Sequence, residues 1–219
     1  MTRDLRGERK LYNPERILDE SCTGVAGEST MSLVDEPLRP VEVGDLAPVE
    51  RLPDPVLREL RSDHAGELGA VWIYHGVLAV ARDPALRAFA EEHRRAEQRH
   101  LDFFLEHLPP RWRSSLAPLW RLAGFALGAL PALFGRRAVY RTVAAVEAFV
   151  DDHYRVQIDM LAAHPEHAWL RERLVAFRDD ELHHRDDAAA RFGDAALEGL
   201  WARIVMAGSA AGASLARRL

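Results

Sequence analysis

The chain is nearly without cysteine and lysine. Its single cysteine, Cys22, has no partner for an internal disulfide or a thiolate metal site, which excludes a disulfide framework and a sulfur-ligated zinc or iron–sulfur centre and suits a reducing compartment. A basic excess is also missing: a net charge of -5 and a pI near 6.1 lack the footprint that phosphate contact requires, so no nucleic acid is expected as a partner. Residues 122–135 form a charge-free run, but one shorter than the about 20 residues that span a bilayer as a helix. The N-terminus carries no apolar run of the secretory kind, and Asp4, Glu8, Glu15, Asp19 and Glu20 break up its arginines in a way that fits an organellar transit peptide poorly. The expectation is a protein that stays in the cytosol. Lys10 stands alone among many arginines, a bias of GC-rich coding sequence that hints at a bacterium.

What the chain does have is an ordinary globular balance, 48% hydrophobic and 29% charged over 219 residues, enough for one domain and a tail. Residues 1–52 show no sustained period and prolines crowd the stretch 37–55, so a flexible tail and proline-rich linker are expected ahead of a domain covering residues 53–219. Within that domain apolar residues recur at helical spacing over residues 56–81, 84–107, 138–163 and 166–192, with a last helix over 195–218. Asp83-Pro84, Pro109-Pro110, His164-Pro165 and Gly193 supply the stops, the glycine as a left-handed terminator. The connection over residues 112–137 is nearly uncharged and rich in glycine, and it is flanked by Arg111, Arg113, Arg136 and Arg137. Two readings stay open for it: a re-entrant or interfacial hairpin resting on an anionic membrane, or a buried crossover packed on the bundle. The last helix has a face apolar enough to dock on the bundle, a membrane or a second subunit.

The expected fold is therefore all-α: two helical hairpins forming a four-helix bundle, joined by an apolar crossover and followed by a C-terminal helix. The charges inside these hairpins obey a simple register. Glu67 and Glu97 lie roughly 24 and 21 Å of helix from the turn at Asp83, and Glu147 and Glu181 lie roughly 27 and 24 Å from the turn at Pro165, taking 1.5 Å per residue. Glu97 and Glu181 each begin a Glu-x-x-His pair, with His100 and His184, and residues three apart share one side of a helix. Packing the hairpins brings four glutamates and two histidines into one layer, the ligand set of dinuclear carboxylate proteins. Oxygen-rich donors with one imidazole per metal suit iron in both oxidation states and leave positions open for dioxygen. Without metal the carboxylates repel one another, so chelation is expected to destabilise the bundle. Asp180 is placed to accept from the far nitrogen of His100. Tyr154, two turns after Glu147 on one face, is a candidate for a cavity wall, and His153 and His64 are weaker candidates. His93, His107, His164, His167 and His183 show nothing beyond a surface position.

These residues also carry a pattern. Asp63-His64-Ala65-Gly66-Glu67, Glu97-x-x-His100, Pro118-Leu119-Trp120 with Gly124-Phe125-Ala126-Leu127-Gly128, Val146-Glu147 with His153-Tyr154-x-x-Gln157, and Phe177-Arg178-Asp179 with Glu181-x-x-His184 closely resemble the demethoxyubiquinone hydroxylase family, a ferritin-like group. The resemblance implies that Glu67, Glu97, His100, Glu147, Glu181 and His184 hold two iron ions, with His153 and Tyr154 near the quinone as catalytic residues. It implies a reduced di-iron centre that uses O2 to hydroxylate the ring of a polyprenyl demethoxyquinol in ubiquinone biosynthesis, fed by NADH or a reduced quinol. The apolar crossover then serves a substrate that must leave the membrane, and the expected location is peripheral, on the cytoplasmic face of the cell membrane. A homo-oligomer or a partner protein of the same pathway is a further expectation. Ala148, Asp152, His183 and Arg185 depart from residues common in that family without touching the six ligands. Competing functions are a ferritin-like di-iron peroxidase or catalase, which would not need the apolar crossover, and an iron-storage or non-catalytic lipid-binding protein.

Overall fold

The computed structural model describes residues 47–193 and 196–219, so Cys22 and most of the expected tail lie outside the described residues. Among those described there are six α-helices and no strands: α1 Asp54–Val80, α2 Pro84–His107, α3 Ala117–Leu133, α4 Arg136–Leu161, α5 Ala168–Phe192 and α6 Gly199–Ala216. The first hairpin turns where expected. Asp83 caps α2 by accepting from the backbone N–H groups of Ala85 (2.8 Å) and Leu86 (3.2 Å), and Pro84 at the first helical position needs no donor. Gly193 does end α5, with φ 109° and ψ 176°, and Gly135 reverses the chain between α3 and α4 with φ 92° and ψ 176°. Both lie in a region that is essentially glycine-only and is not the left-handed helical one.

Two apolar clusters form the ends of the bundle. At one end Leu57, Leu60, Phe104, Ile158, Leu174 and Phe177 pack together, and at the other Val77, Phe89, Tyr140, Val143 and Ala188 do so. Val49 and Leu52 are buried in the first cluster, so core packing begins a few residues ahead of Pro53.

The crossover is a single continuous helix, α3, and not a hairpin. It lies against α1 so closely that a methyl group added at Gly128 would overlap the Ile73 carbonyl, and one at Gly124 or Gly76 would overlap the backbone of Gly69 or Phe125. Glycine is needed there because two helix backbones meet without side chains between them. Trp120 is anchored by donating Nε1–H to Ser114 Oγ at 2.8 Å. α6 begins at Gly199, later than its apolar pattern implied, and packs on α4 and α1.

Candidate metal centre

Helical spacing delivers the six predicted ligands to one layer between the apolar end clusters. All six are buried. Glu67 comes from α1, Glu97 and His100 from α2, Glu147 from α4, and Glu181 and His184 from α5. Donor atoms fall into two groups, each with all its atoms within 4.8 Å of one another: Glu67, Glu97, His100 and Glu181 in one, Glu97, Glu147, Glu181 and His184 in the other. Glu97 and Glu181 belong to both. Nδ1 of His100 lies 3.0 Å from Glu181 Oε1 and 3.6 Å from Glu67 Oε2, while Nδ1 of His184 lies 3.2 Å from Glu97 Oε1 and 3.2 Å from Glu181 Oε2.

The electrostatics of this layer are strained. Burial, reinforced by the Glu181 charge, pushes the Glu97 carboxyl up to about 8, and burial with the Glu181 and Glu97 charges holds Glu147 well above its ordinary range. Burial works against the charged forms of His100 and His184 too, but the carboxylates of Asp180 and Glu181 beside the first, and of Glu181 and Glu97 beside the second, raise both above the usual imidazole range. Glu181 is the exception: burial would raise it, yet the two histidines hold it below the usual carboxylate range.

A cation bound among these groups would relieve the conflict. Glu97 Oε1 and His100 Nδ1 are buried without a directed hydrogen bond, although oppositely charged atoms stand near them. Unmet groups of this kind cost about 1–3 kcal/mol each. Four carboxylates and two imidazoles aimed inward are donors that fit two divalent ions.

Around the layer, Asp180 Oδ2 lies 3.0 Å from His100 Nε2, so the carboxylate fixes that ring with Nδ1 turned to the donors, as the spacing implied. Tyr154 donates its hydroxyl to Glu67 Oε1 at 2.5 Å. Its neighbour His153 accepts at Nδ1 from an Arg217 nitrogen at 3.3 Å, while its buried Nε2 lies 3.1 Å from Asp63 Oδ1 without a directed hydrogen bond. His64 is buried, accepts from the Ser114 N–H at 3.4 Å, and is held neutral by burial, which lowers it to about 4.

Two histidines assigned to the surface are not there. His93 is 2% exposed and His167 is fully buried, the latter placed to donate Nε2–H to the Pro48 carbonyl at 3.1 Å. His93 had a signal: it precedes Glu97 by four residues and His100 by seven, so it shares their helix face. Asp63 and Tyr74 stand in the same relation to Glu67, four before and seven after. His183 is exposed, facing away from the layer.

A cavity of about 410 Å³ runs from the layer to the outside of the bundle. Its inner wall holds Glu67, Glu97, Glu147, Glu181, His153 and Tyr154; its outer walls are apolar and come from α3 and α6, among them Leu127, Ile204 and Gly212.

The family model described as Ubiquinone biosynthesis protein COQ7 matches residues 55–216. The chain belongs to that family. It is 32% identical over 182 residues to the NADPH-dependent 3-demethoxyubiquinone 3-hydroxylase, mitochondrial, of Dictyostelium discoideum, covering 80% of each chain. It is 38% identical over 168 residues to the mouse protein of the same name, covering 74% of this chain and 76% of the relative. The 3-demethoxyubiquinol 3-hydroxylase of Rhodospirillum rubrum is 40% identical over 132 residues, 59% of this chain and 61% of the relative. The match runs from the second residue of α1 to the last of α6, so the Glu/His layer and the apolar cavity both lie within the family domain.

Proposed function

We propose that the chain is a di-iron monooxygenase that hydroxylates the ring of a demethoxyubiquinol-type polyprenyl quinol during ubiquinone biosynthesis. The observation that carries this reading is the continuity of an apolar cavity with a buried carboxylate–histidine layer. A greasy substrate enters from one end and meets the donors at the other. Glu67 and His100 would hold one iron, Glu147 and His184 the other, with Glu97 and Glu181 common to both. Two iron ions held there would supply dioxygen activation, in a reaction in which one oxygen atom is added to the ring and the other leaves as water with two electrons and two protons. Names of the mitochondrial relatives specify NADPH, so a nicotinamide nucleotide is proposed as donor ahead of a reduced quinol.

The chain's own residues prepare the site. Tyr154 holds Glu67 by its hydroxyl and presents its ring to the cavity, while His153, set between Asp63 and Arg217, stands at the inner wall. Among the described residues no helix is long and apolar enough to cross a membrane. Contact is proposed to be peripheral, at the cytoplasmic face, through the exposed leucines of α3 and α6 beside the cavity, with a second copy or a pathway partner protein as the rival occupants. A soluble-substrate peroxidase or an iron store would have no use for these apolar walls.

The test is complementation in a bacterium whose own hydroxylase gene is deleted, with quinones profiled. This chain should restore ubiquinone at the expense of the demethoxy precursor, and Glu147→Ala should restore less than about 1% as much, since losing a ligand exceeds the 10–100-fold cost of losing a ligand's support. Full restoration by Glu147→Ala would end the di-iron reading.

A further inference from the structure

The two ends of the Glu/His layer are supported differently. At the Glu67–His100 end, His100 Nε2 meets Asp180 at 3.0 Å, the His100 ring packs on Phe177 with centroids 4.2 Å apart, and Tyr154 donates to Glu67. At the Glu147–His184 end, among the described residues, no carboxylate plays the part that Asp180 plays on His100 Nε2. Instead the ring of His93 stacks on the ring of His184, with centroids 4.3 Å apart and planes at 29°. The same His93 reaches Tyr74, whose hydroxyl lies 3.3 Å from His93 Nδ1 and 3.5 Å from Glu147 Oε1. Both are long contacts, at the outer limit for one phenolic proton shared between two acceptors. On the outer side His93 Nε2 lies 3.2 Å from Asp187 Oδ2, and Asp187 is itself held by Arg191 at 2.9 Å. None of Tyr74, His93 and Asp187 lines the cavity, so this chain of contacts stands apart from the substrate's path.

We propose that His93 is a positioning residue for the Glu147–His184 metal position, holding His184 by stacking and Glu147 through Tyr74, and clamped from the rim by Asp187. The inference rests on the dinuclear reading of the site. One side chain thus sets both ligands that belong to that position alone. The Glu67–His100 position has its own support and does not depend on it. The two positions therefore respond to different substitutions outside the ligand set.

The experiment is equilibrium dialysis of the full chain against Mn(II), with bound ion counted by electron paramagnetic resonance. Wild type should take up two ions per chain; one or none would overturn the dinuclear reading itself, independently of His93. His93→Leu should leave the tighter equivalent within about threefold and weaken the other about 10–100-fold, the usual cost of removing a ligand's support. Asp187→Asn, which keeps the volume at a partly exposed rim, should act in the same direction and less strongly, covering the case in which His93→Leu folds poorly. His93→Leu combined with Asp180→Ala should weaken both equivalents. The exchange-coupled signal of a manganese pair should fade in His93→Leu at ion concentrations that still fill one position, a readout that loss of packing alone would not move. Wild-type affinity for both ions in Asp187→Asn and His93→Leu, or equal weakening of both ions in each single variant, would overturn the inference.

Discussion

The four-helix core and the α3/α6 layer invert the usual partition of residues. Inside the core, six ionisable side chains sit in one buried layer between apolar clusters. Outside it, Leu122, Leu133, Phe134 and Leu200 are more than two-thirds exposed. Burying a carboxylate without a partner is costly, whereas exposing a leucine forfeits only the gain of burial. The first departure is therefore the stronger mark of function, and the second becomes informative only because its residues cluster on the two helices that wall the cavity. Charge inside and grease outside are the two ends of one route.

Removing metal should break the core's side of this contrast hardest. Glu97, Glu147, His100 and His184 all have their protonated forms favoured in the folded protein by their neighbours or by burial. Groups raised above their unfolded values stabilise at low pH and lose that contribution as pH rises through the folded value. For Glu97 the window runs from the ordinary 4.5 to about 8. Chelated protein should therefore lose stability steadily across that range, while metal-loaded protein should not. At neutral pH and a metal concentration about 100 times Kd, loading should add about 2.7 kcal/mol, or about 5–10 °C in Tm. Calorimetry with and without a chelator, at pH 5.5 and 8, tests this; equal melting temperatures after verified metal loss would remove the physical basis assigned to the layer.

A smaller effect is expected where the two regions join. Gly128→Ala forces a methyl into the Ile73 carbonyl, and neither helix backbone can yield without unseating α3 from α1. Destabilisation of about 1–3 kcal/mol is expected from such overpacking, measured by urea unfolding. Gly66→Ala, on α1 with open space at its Cβ, should be neutral or stabilising by about 0.5–1 kcal/mol.

The core was far more legible in the sequence than the layer around it. A fixed rise per residue turns sequence distance from a turn into height along a helix, so Glu67, Glu97, Glu147 and Glu181 could be levelled against one another before any coordinate was known. The same arithmetic reaches Tyr154 and Asp180, and also His93, which lies four residues before Glu97 on the same helix face. Residues 112–137 offered no polar face from which a period could be read, and their glycine content suited a hairpin where the chain runs on as a helix. What decided its conformation was contact with α1, matched by glycines on both helices, and pairing of that kind is not a property of either segment by itself.

The outer layer's exposed residues are expected to have the smallest effect on the fold and a separate effect on binding. Leu122 and Leu133 of α3 and Leu200 of α6 touch little that unfolding would release, so Leu→Ser at each should move stability by no more than about 0.5 kcal/mol. If the face rests on lipid, each substitution removes apolar surface from the bilayer edge, and about 1 kcal/mol apiece corresponds to roughly fivefold weaker partitioning. Co-sedimentation with vesicles containing anionic lipid should show that stepwise loss, with the triple variant nearly absent from the pellet, while iron content stays at the wild-type level. Loss of self-association by the triple variant, with vesicle binding unchanged, would instead assign the face to a second copy of the chain. The two outcomes separate cleanly because none of the three residues lines the cavity or contributes to the buried clusters.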